Sequence, residues 1–287
     1  MTGAVEVVEP GLLTLVQDVG RPGWAHVGVG RSGAADAGAL RLANRLVAND
    51  ESAAGLEVLL GGLRLRARGD LTVALTGARG PAWRDGRLVG HEAVLELPAG
   101  SELRLGTVTV GVRTYVAVRG GIDVPMVLGS RSTDQLAGLG PDPLAAGDVL
   151  PVGLAPERWP VVDVAPVHEW PDRFVLPVAP GPHADWFDDA LARLVGHEFR
   201  VTPATNRVAV RLSGPALPRT PEHAGRELPS EGLVVGAVQV PPDGQPVVFS
   251  VDHPVTGGYP VAAVVRRHAL GLLGQLRPGD PVRFVRG

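Results

Sequence analysis

Cysteine and lysine are both missing from this 287-residue chain. Without cysteine there is no disulfide framework. Without lysine, all 27 basic residues are arginine. Three chemistries then lie outside the chain's own reach: a Walker-type phosphate loop, Schiff-base catalysis and the attachment of biotin or lipoate. If the chain handles ATP or biotin, a partner must supply the amine. A GC-rich bias toward Ala, Gly, Pro, Arg and Val accounts for the loss, and the exclusions hold whatever its cause. Long apolar runs are missing too. Hydrophobic residues make up 45% of the chain, yet no stretch approaches the 18 residues of a membrane helix. The opening "MTGAVEVVEPG" carries acid where a signal peptide has a basic region, so none is expected. The net charge of −3 is spread without a basic block, which argues against nucleic-acid and polybasic membrane footprints. A cytoplasmic protein is the expectation.

What is abundant is punctuation. Gly 39 and Pro 27 break the chain into short β-branched runs, which read as many short strands. Only three stretches carry a helical period: 34–48, 183–195 and 267–275. The fold class expected is mainly β, with closed barrels and a few short helices. Residues 154–171, "LAPERWPVVDVAPVHEWP", hold four prolines and no clear period, and read as a linker between domains at 1–160 and 161–287. The two halves share weak matches in the same order. "VEVVEPGLLTLVQD" matches "FVLPVAPGPHADWFDD", "YVAVRGGIDVP" matches "SVDHPVTGGYP", and "LAAGDVLPVG" matches "LRPGDPVRFV". That order favours a duplicated β unit over chance.

Some motifs mislead. "GVGRSG" at 28–33 fits G-x-G-x-x-G and precedes a helix, but the strand before it lacks a buried apolar run and the strand after it ends in "LLGG" where an acid should hold a ribose. It is kept only as a backbone-rich turn opening a helix, able to bind an anion. His-Glu occurs at 91–92, 168–169 and 197–198, never as H-E-x-x-H, so no metal site is expected. There is no G-x-S-x-G elbow.

Two loop systems remain. In the first, Gln17, Asp18 and Arg21 put an amide, a carboxylate and a guanidinium within five residues, and Ser32, Gly33 and Asp36 stand at a helix start. Ser130, Arg131, Ser132 and Thr133 repeat the theme. They read either as a turn pair with a helix cap or as an arginine fork and helix amides holding an anion. The second system holds Glu231, Gln239, Asp252, His253, Gly257, Gly258 and Tyr259. Its glycines either admit a ligand to the backbone or permit positive φ, and Tyr259 is held extended by Pro260. Structural turn and ligand loop are equally open on these residues.

The stretches "VQDVGRPGWAHVGVGRSGAAD", "GLEVLLGG", "YVAVRGGIDVPMVLGSRST", "SEGLVVGAVQVPPDGQP" and "DHPVTGGYP" resemble the group formed by the C component of 5-oxoprolinase. That group is also described as biotin-dependent carboxyltransferase-like, KipA-like, or the second allophanate-hydrolase subunit. The resemblance spans nearly the whole chain. It implies two cyclophilin-like β-barrel domains and an enzyme component inactive alone, working with a KipI-like B component and a LamB/YcsF-like A component. The activity implied is hydrolysis of 5-oxo-L-proline to L-glutamate, with ATP used by the assembled complex. The alternatives are the carboxyltransferase component of a biotin-dependent, urea-carboxylase-like system, and a KipA-like regulatory protein that antagonises a kinase inhibitor. Opening a resistant cyclic amide needs donors for developing oxyanion charge and cationic clamps on a moving phosphoryl group. Arg21, Arg131 and the amides near Gly33 are nominated for that task, with Gln17, Asp18, Ser32, Ser130 and Ser132 beside them. Gln239, Gly257, Gly258 and Tyr259 are nominated to hold substrate, and Asp252, His253 and Glu231 to move protons. There are two departures from the family pattern. Urea-carboxylase-type relatives carry a basic residue, commonly Lys, after Gly-Gly-Tyr-Pro, where this chain has Val261. His253 stands where many relatives have Gln or Arg.

Overall fold

A computed structural model describes residues 3–167, 170 and 173–287. The pair His168-Glu169 therefore lies outside the described residues, as does part of the expected linker. Strand accounts for 37% of the chain and helix for 11%, so the fold is mainly β. Two compact units emerge. The first is Met1–Arg21, Ser32–Asp134 and Gly138–Trp170; the second is Pro22–Arg31, Gln135–Ala137 and Pro171–Gly287. Among the described residues no helix is long and apolar enough to cross a membrane.

The first unit begins with β1 (Ala4–Pro10), β2 (Leu13–Gln17), helix α1 (Ala37–Leu46), β3 (Gly55–Leu59), β4 (Leu63–Arg68) and β5 (Leu71–Arg79). It continues with β6 (Ala82–Arg84), β7 (Arg87–Val89), β8 (Val94–Leu97), β9 (Glu102–Leu105), β10 (Val110–Val118) and β11 (Val149–Pro151). These form a six-stranded sheet, β11-β1-β4-β9-β6-β7, and a five-stranded sheet, β2-β3-β10-β5-β8. One apolar core draws on both sheets, from Val7 and Leu65 to Leu56, Leu75 and Val116.

Strand β4 shows why the register holds. In "LRLRAR" the residues Leu63, Leu65 and Ala67 are buried while the arginines alternate outward, as a period of two demands. Arg64 bonds Glu9 at 2.7 Å, Arg66 bonds Glu102 at 2.6 Å and Arg68 bonds Glu6 at 3.2 Å. Each exposed pair is worth at most about 1 kcal/mol, but a one-residue slip would bury three guanidiniums. Strand β10 is covered on both faces: Val116 and Val118 enter the main core, while Tyr115 and Ala117 pack with Leu40, Ala43 and Leu46 of α1. The Asp36 carboxylate caps that helix by accepting from the Ala39 amide at 3.1 Å, a contact worth about 1 kcal/mol. The stretch 154–167 lies along this unit rather than hanging free. Arg119 donates to the carbonyls of Val47, Pro156 and Arg158 and stacks over Trp159, and the Val94 amide donates to Asp163 O.

The second unit contains β12 (Phe174–Pro180), α2 (Ala190–Gly196), β13 (Glu198–Val201), β14 (Ala209–Ser213), β15 (Glu231–Gly232) and β16 (Ala237–Gln239). After them come β17 (Val247–Phe249), β18 (Thr256–Gly257), β19 (Val261–Val265), α3 (Leu270–Leu273) and β20 (Pro281–Arg286). Seven strands close into a barrel in the order β12-β19-β16-β17-β14-β13-β20. The seam is parallel, with Phe174 opposite Val282. Phe199 and Phe284 meet edge to face inside it, 5.7 Å apart, an arrangement worth about 1 kcal/mol beyond burial.

The helix expected at 183–195 is interrupted and the one at 267–275 is of mixed type. Phe187 is extended and Asp189 takes φ 49°, so a 3-10 turn at Ala184–Trp186 is separated from α2. The second stretch is a 3-10 turn at Arg267–Ala269 running into α3.

Candidate functional site

The structure brings the first set of nominated residues together, inside the first unit. Asp18 Oδ1 accepts from Ser130 Oγ at 2.6 Å, Ser132 Oγ at 2.5 Å and the Gly20 amide at 2.7 Å. Its Oδ2 accepts from the Arg131 amide at 2.7 Å. Arg21 is 1% exposed; it donates to Ser132 O and Val127 O and lies 3.7 Å from Asp134. Gln17 and Ser32 both donate to Thr133 O. The Arg131 side chain is held by Asp123 and Val124 O. These groups latch the 17–21 turn to the 130–134 loop, and the acceptors of the Asp18 carboxylate are saturated by the chain itself.

The turn opening α1 is similarly occupied. Gly33 has φ +96°, and a Cβ there would stand 2.7 Å from the Gly20 nitrogen, so only glycine fits. The following amides donate to protein acceptors: Ala34 to Asp18 O, Ala35 to Glu57 Oε2 at 2.8 Å and Asp36 to Tyr115 Oη at 2.7 Å. Tyr115 Oη donates to Glu57 Oε2 at 2.8 Å, and Arg113 Nε donates to Oε1 at 3.1 Å. The anion at this helix start is the protein's own Glu57. Burial, with Glu57 and Asp36 nearby, holds the Tyr115 phenol well above its usual range.

The second set is distributed around the barrel loops of the second unit. Asp252 is fully buried and gripped by both sides of the Arg207 fork, at 2.8 and 3.0 Å. His253 Nδ1 donates to Pro254 O at 2.8 Å. Gln239 Nε2 donates to Tyr259 O at 2.8 Å, pinning the loop that carries the 46%-exposed tyrosine. Neither Gly257 nor Gly258 has positive φ. A Cβ at Gly257 would stand 2.7 Å from Leu233 Cδ1 and 2.8 Å from Gln239 Nε2, so a side chain there would displace these two side-chain ends. Glu231 pairs with Gly257 across the β15–β18 ribbon.

Glu231 also has a partner, His183, that its neighbours in sequence do not reveal. The Val261 amide donates to His183 Nδ1 at 3.2 Å, which leaves the ring proton on Nε2. That nitrogen faces Glu231 Oε2 at 3.4 Å. The His183 amide in turn donates to Val261 O, so the ring is held by main chain from two directions. Sequence reading also passed over Arg207, Arg219 and Arg226. Arg207 sits in an unremarkable "TNRVAV" and Arg219 in "LPRT". No spacing signal marks any of the three, because their partners are distant in sequence.

With that geometry in place, the chain can be set against known proteins. Residues 27–286 match the family described as carboxyltransferase domain, subdomain A and B. The chain is 39% identical to the C component of the Escherichia coli 5-oxoprolinase over 285 residues, covering 98% of this chain and 90% of that protein. It is 34% identical to urea amidolyase of Saccharomyces cerevisiae over 98% of its own length, but spans only 16% of that much longer protein. The crystal structure of the urea amidolyase of K. lactis superposes with a TM-score of 0.90 at 32% identity, covering 99% of this chain and 18% of that one. The chain is thus a member of the carboxyltransferase-domain family, subdomains A and B, to which its sequence pattern pointed.

Proposed function

We propose that the chain is the C component of an ATP-dependent 5-oxoprolinase, opening the cyclic amide of 5-oxo-L-proline to L-glutamate together with two partner chains, one KipI-like and one LamB/YcsF-like. The observation that carries this reading is the likeness to the corresponding Escherichia coli component across nearly the full length of both chains. ATP, used by the complex, supplies activation of the lactam carbonyl. This chain offers no cradle for its phosphates at the turn opening α1, because those amides already serve Asp18, Glu57 and Tyr115. In this reading phosphate handling falls to the partner chains, with which the absence of lysine agrees.

The contribution of this chain centres on the second unit. Water attacking the activated carbonyl must lose a proton, and the departing ring nitrogen must gain one. Glu231 is half exposed and keeps an unsaturated carboxylate, which suits it to take the first proton. His183, with its proton fixed on Nε2 by the Val261 amide, places that N–H 3.4 Å from the carboxylate. Gln239 positions Tyr259 through its carbonyl. Asp252, nominated with them, is committed to Arg207 and supports the loop from beneath.

The test is glutamate release from 5-oxo-L-proline by the chain mixed with its two partner chains, with and without ATP. Release that depends on ATP and on all three chains is expected. An inactive mixture of folded components would overturn the reading. Carboxyl transfer on addition of a biotin carboxylase and carrier would instead favour the urea-amidolyase side of the family. The buried, uncharged Val261 after Gly-Gly-Tyr-Pro argues against that outcome.

A further inference from the structure

The second unit holds an open cleft of about 870 Å3 beside Gly258 and Tyr259. Two arginines line it, Arg219 and Arg226. Their guanidinium carbons lie 5.4 and 5.6 Å from the centroid of the Trp186 ring. His223 stacks on the same indole at 4.6 Å, and the loop is tied back by the Thr220 amide, which donates to Trp186 O at 2.8 Å. Arg219 Nη1 donates to Arg226 O at 2.6 Å, fixing the two residues relative to each other.

What these arginines lack is a counter-charge. Elsewhere in the chain, Arg64, Arg66, Arg113, Arg131 and Arg207 each meet a carboxylate. Glu227 lines the same cleft, yet no acidic group lies within ion-pair distance of Arg219 or Arg226 among the described residues. Arg219 Nε is buried and has no acceptor. Two like charges held on one aromatic ring, in a chain of net charge −3, repel until an anion arrives. A guanidinium offers paired N–H groups that match the spacing of a carboxylate. Stacking on the indole orders both before binding and reduces what ordering costs on association.

We propose that this cleft binds a small carboxylate, with Arg219 and Arg226 as its clamp. Resting on the function proposed above, the carboxylate is that of 5-oxo-L-proline, whose ring then lies toward Gly258 and Tyr259. Because every lining residue belongs to one unit, binding needs no partner chain.

The test is calorimetric titration of the full chain with three probes: 5-oxo-L-proline, 2-pyrrolidinone (the same lactam without its carboxylate) and inorganic phosphate. 5-Oxo-L-proline should bind at least tenfold more tightly than either of the others. Arg226→Gln and Arg219→Lys should each weaken it at least tenfold. Arg219→Lys keeps the charge but loses the fork, and unchanged circular dichroism and melting temperature show that the fold survives. Equal binding of 2-pyrrolidinone, tighter binding of phosphate, undetectable binding of 5-oxo-L-proline, or an unaffected Arg226→Gln would each overturn the clamp. The three-component assay separates this failure from failure of the function. ATP-dependent glutamate release with KM unchanged in Arg226→Gln refutes the clamp alone. Carboxylate-selective, Arg226-dependent binding in a chain whose assembled mixture releases no glutamate refutes the function alone.

Discussion

The two units deploy their polar groups in opposite ways. In the first, Asp18 with Ser130 and Ser132, and Glu57 with Tyr115 and Arg113, form closed circuits in which side chains satisfy one another and nearby main-chain amides. In the second, the Arg207–Asp252 pair is sealed, but Glu231, His183, Arg219 and Arg226 keep capacity facing loops and cleft. Both regions looked equally rich in chemistry as sequence. A carboxylate that already accepts four hydrogen bonds has nothing left to offer a ligand, whereas a guanidinium without a counter-charge does. Density of polar residue types thus marks places where backbone must be held as readily as places where substrate is held.

The sharpest way to break this contrast is to remove Asp18. Asp18→Ala orphans two buried hydroxyls and two amides, at about 1–3 kcal/mol each, so a loss of at least about 4 kcal/mol is expected. Hydrogen exchange at 17–21 and 130–134 reads it; protection left intact would show that the circuit is dispensable. Next is Arg207→Ala, which takes both guanidinium hydrogen bonds from the buried Asp252 carboxylate and should cost about 3–4 kcal/mol by urea denaturation. Replacing both partners, Arg207→Met with Asp252→Leu, should recover all but about 1 kcal/mol. No apolar replacement should rescue Asp18, because the Gly20 and Arg131 amides would still need an acceptor.

Glu231→Gln addresses the open side of the comparison. Glutamate release by the three-component mixture should fall about 100-fold or more, with the melting temperature of the chain unchanged. A melting shift with turnover intact would make Glu231 structural like its counterparts in the first unit. The smallest effect concerns Glu92, a buried carboxyl in the first unit with one oxygen unpartnered. Burial raises its pKa above the ordinary glutamate value of 4.5. The folded state then binds the proton more tightly than the unfolded chain, so the carboxyl costs stability once pH exceeds that ordinary value, and the cost is complete above the raised one. Glu92→Gln should stabilise by up to about 1 kcal/mol at neutral pH, and the gain should vanish below about pH 4.5. Melting curves at pH 4 and pH 7 check the sign.

Much of the β architecture is legible in the sequence because alternation such as "LRLRAR" carries the two-residue period directly. Arg113 does not break strand β10, since it is drawn inward to Glu57. The short strands β6, β7, β15 and β18 carry no such signal, because two or three residues hold no period. The internal matches divide instructively. Gly147-Asp148 and Gly279-Asp280 build the same turn: each glycine has φ near +95°, and each aspartate accepts from the amide three residues earlier. Gly120-Gly121 and Gly257-Gly258 do not correspond, since the first pair has positive φ and the second does not. Letters repeat there without the backbone. In the candidate site, loop residues next to one another in sequence were visible; His183, Arg207, Arg219 and Arg226 were not, because only tertiary structure brings them to their partners.

Strand β20 is hydrogen-bonded on one side to β12 and on the other to β13, the two strands with which the second unit begins. During synthesis the ring therefore waits for residues 281–286, and until they emerge from the ribosome β12 and β13 each present a bare rim. Such rims recruit other extended chains, so a nascent second unit depends on shielding for nearly its whole translation, whereas shortening it by that one strand would convert a sealed cylinder into an adhesive one.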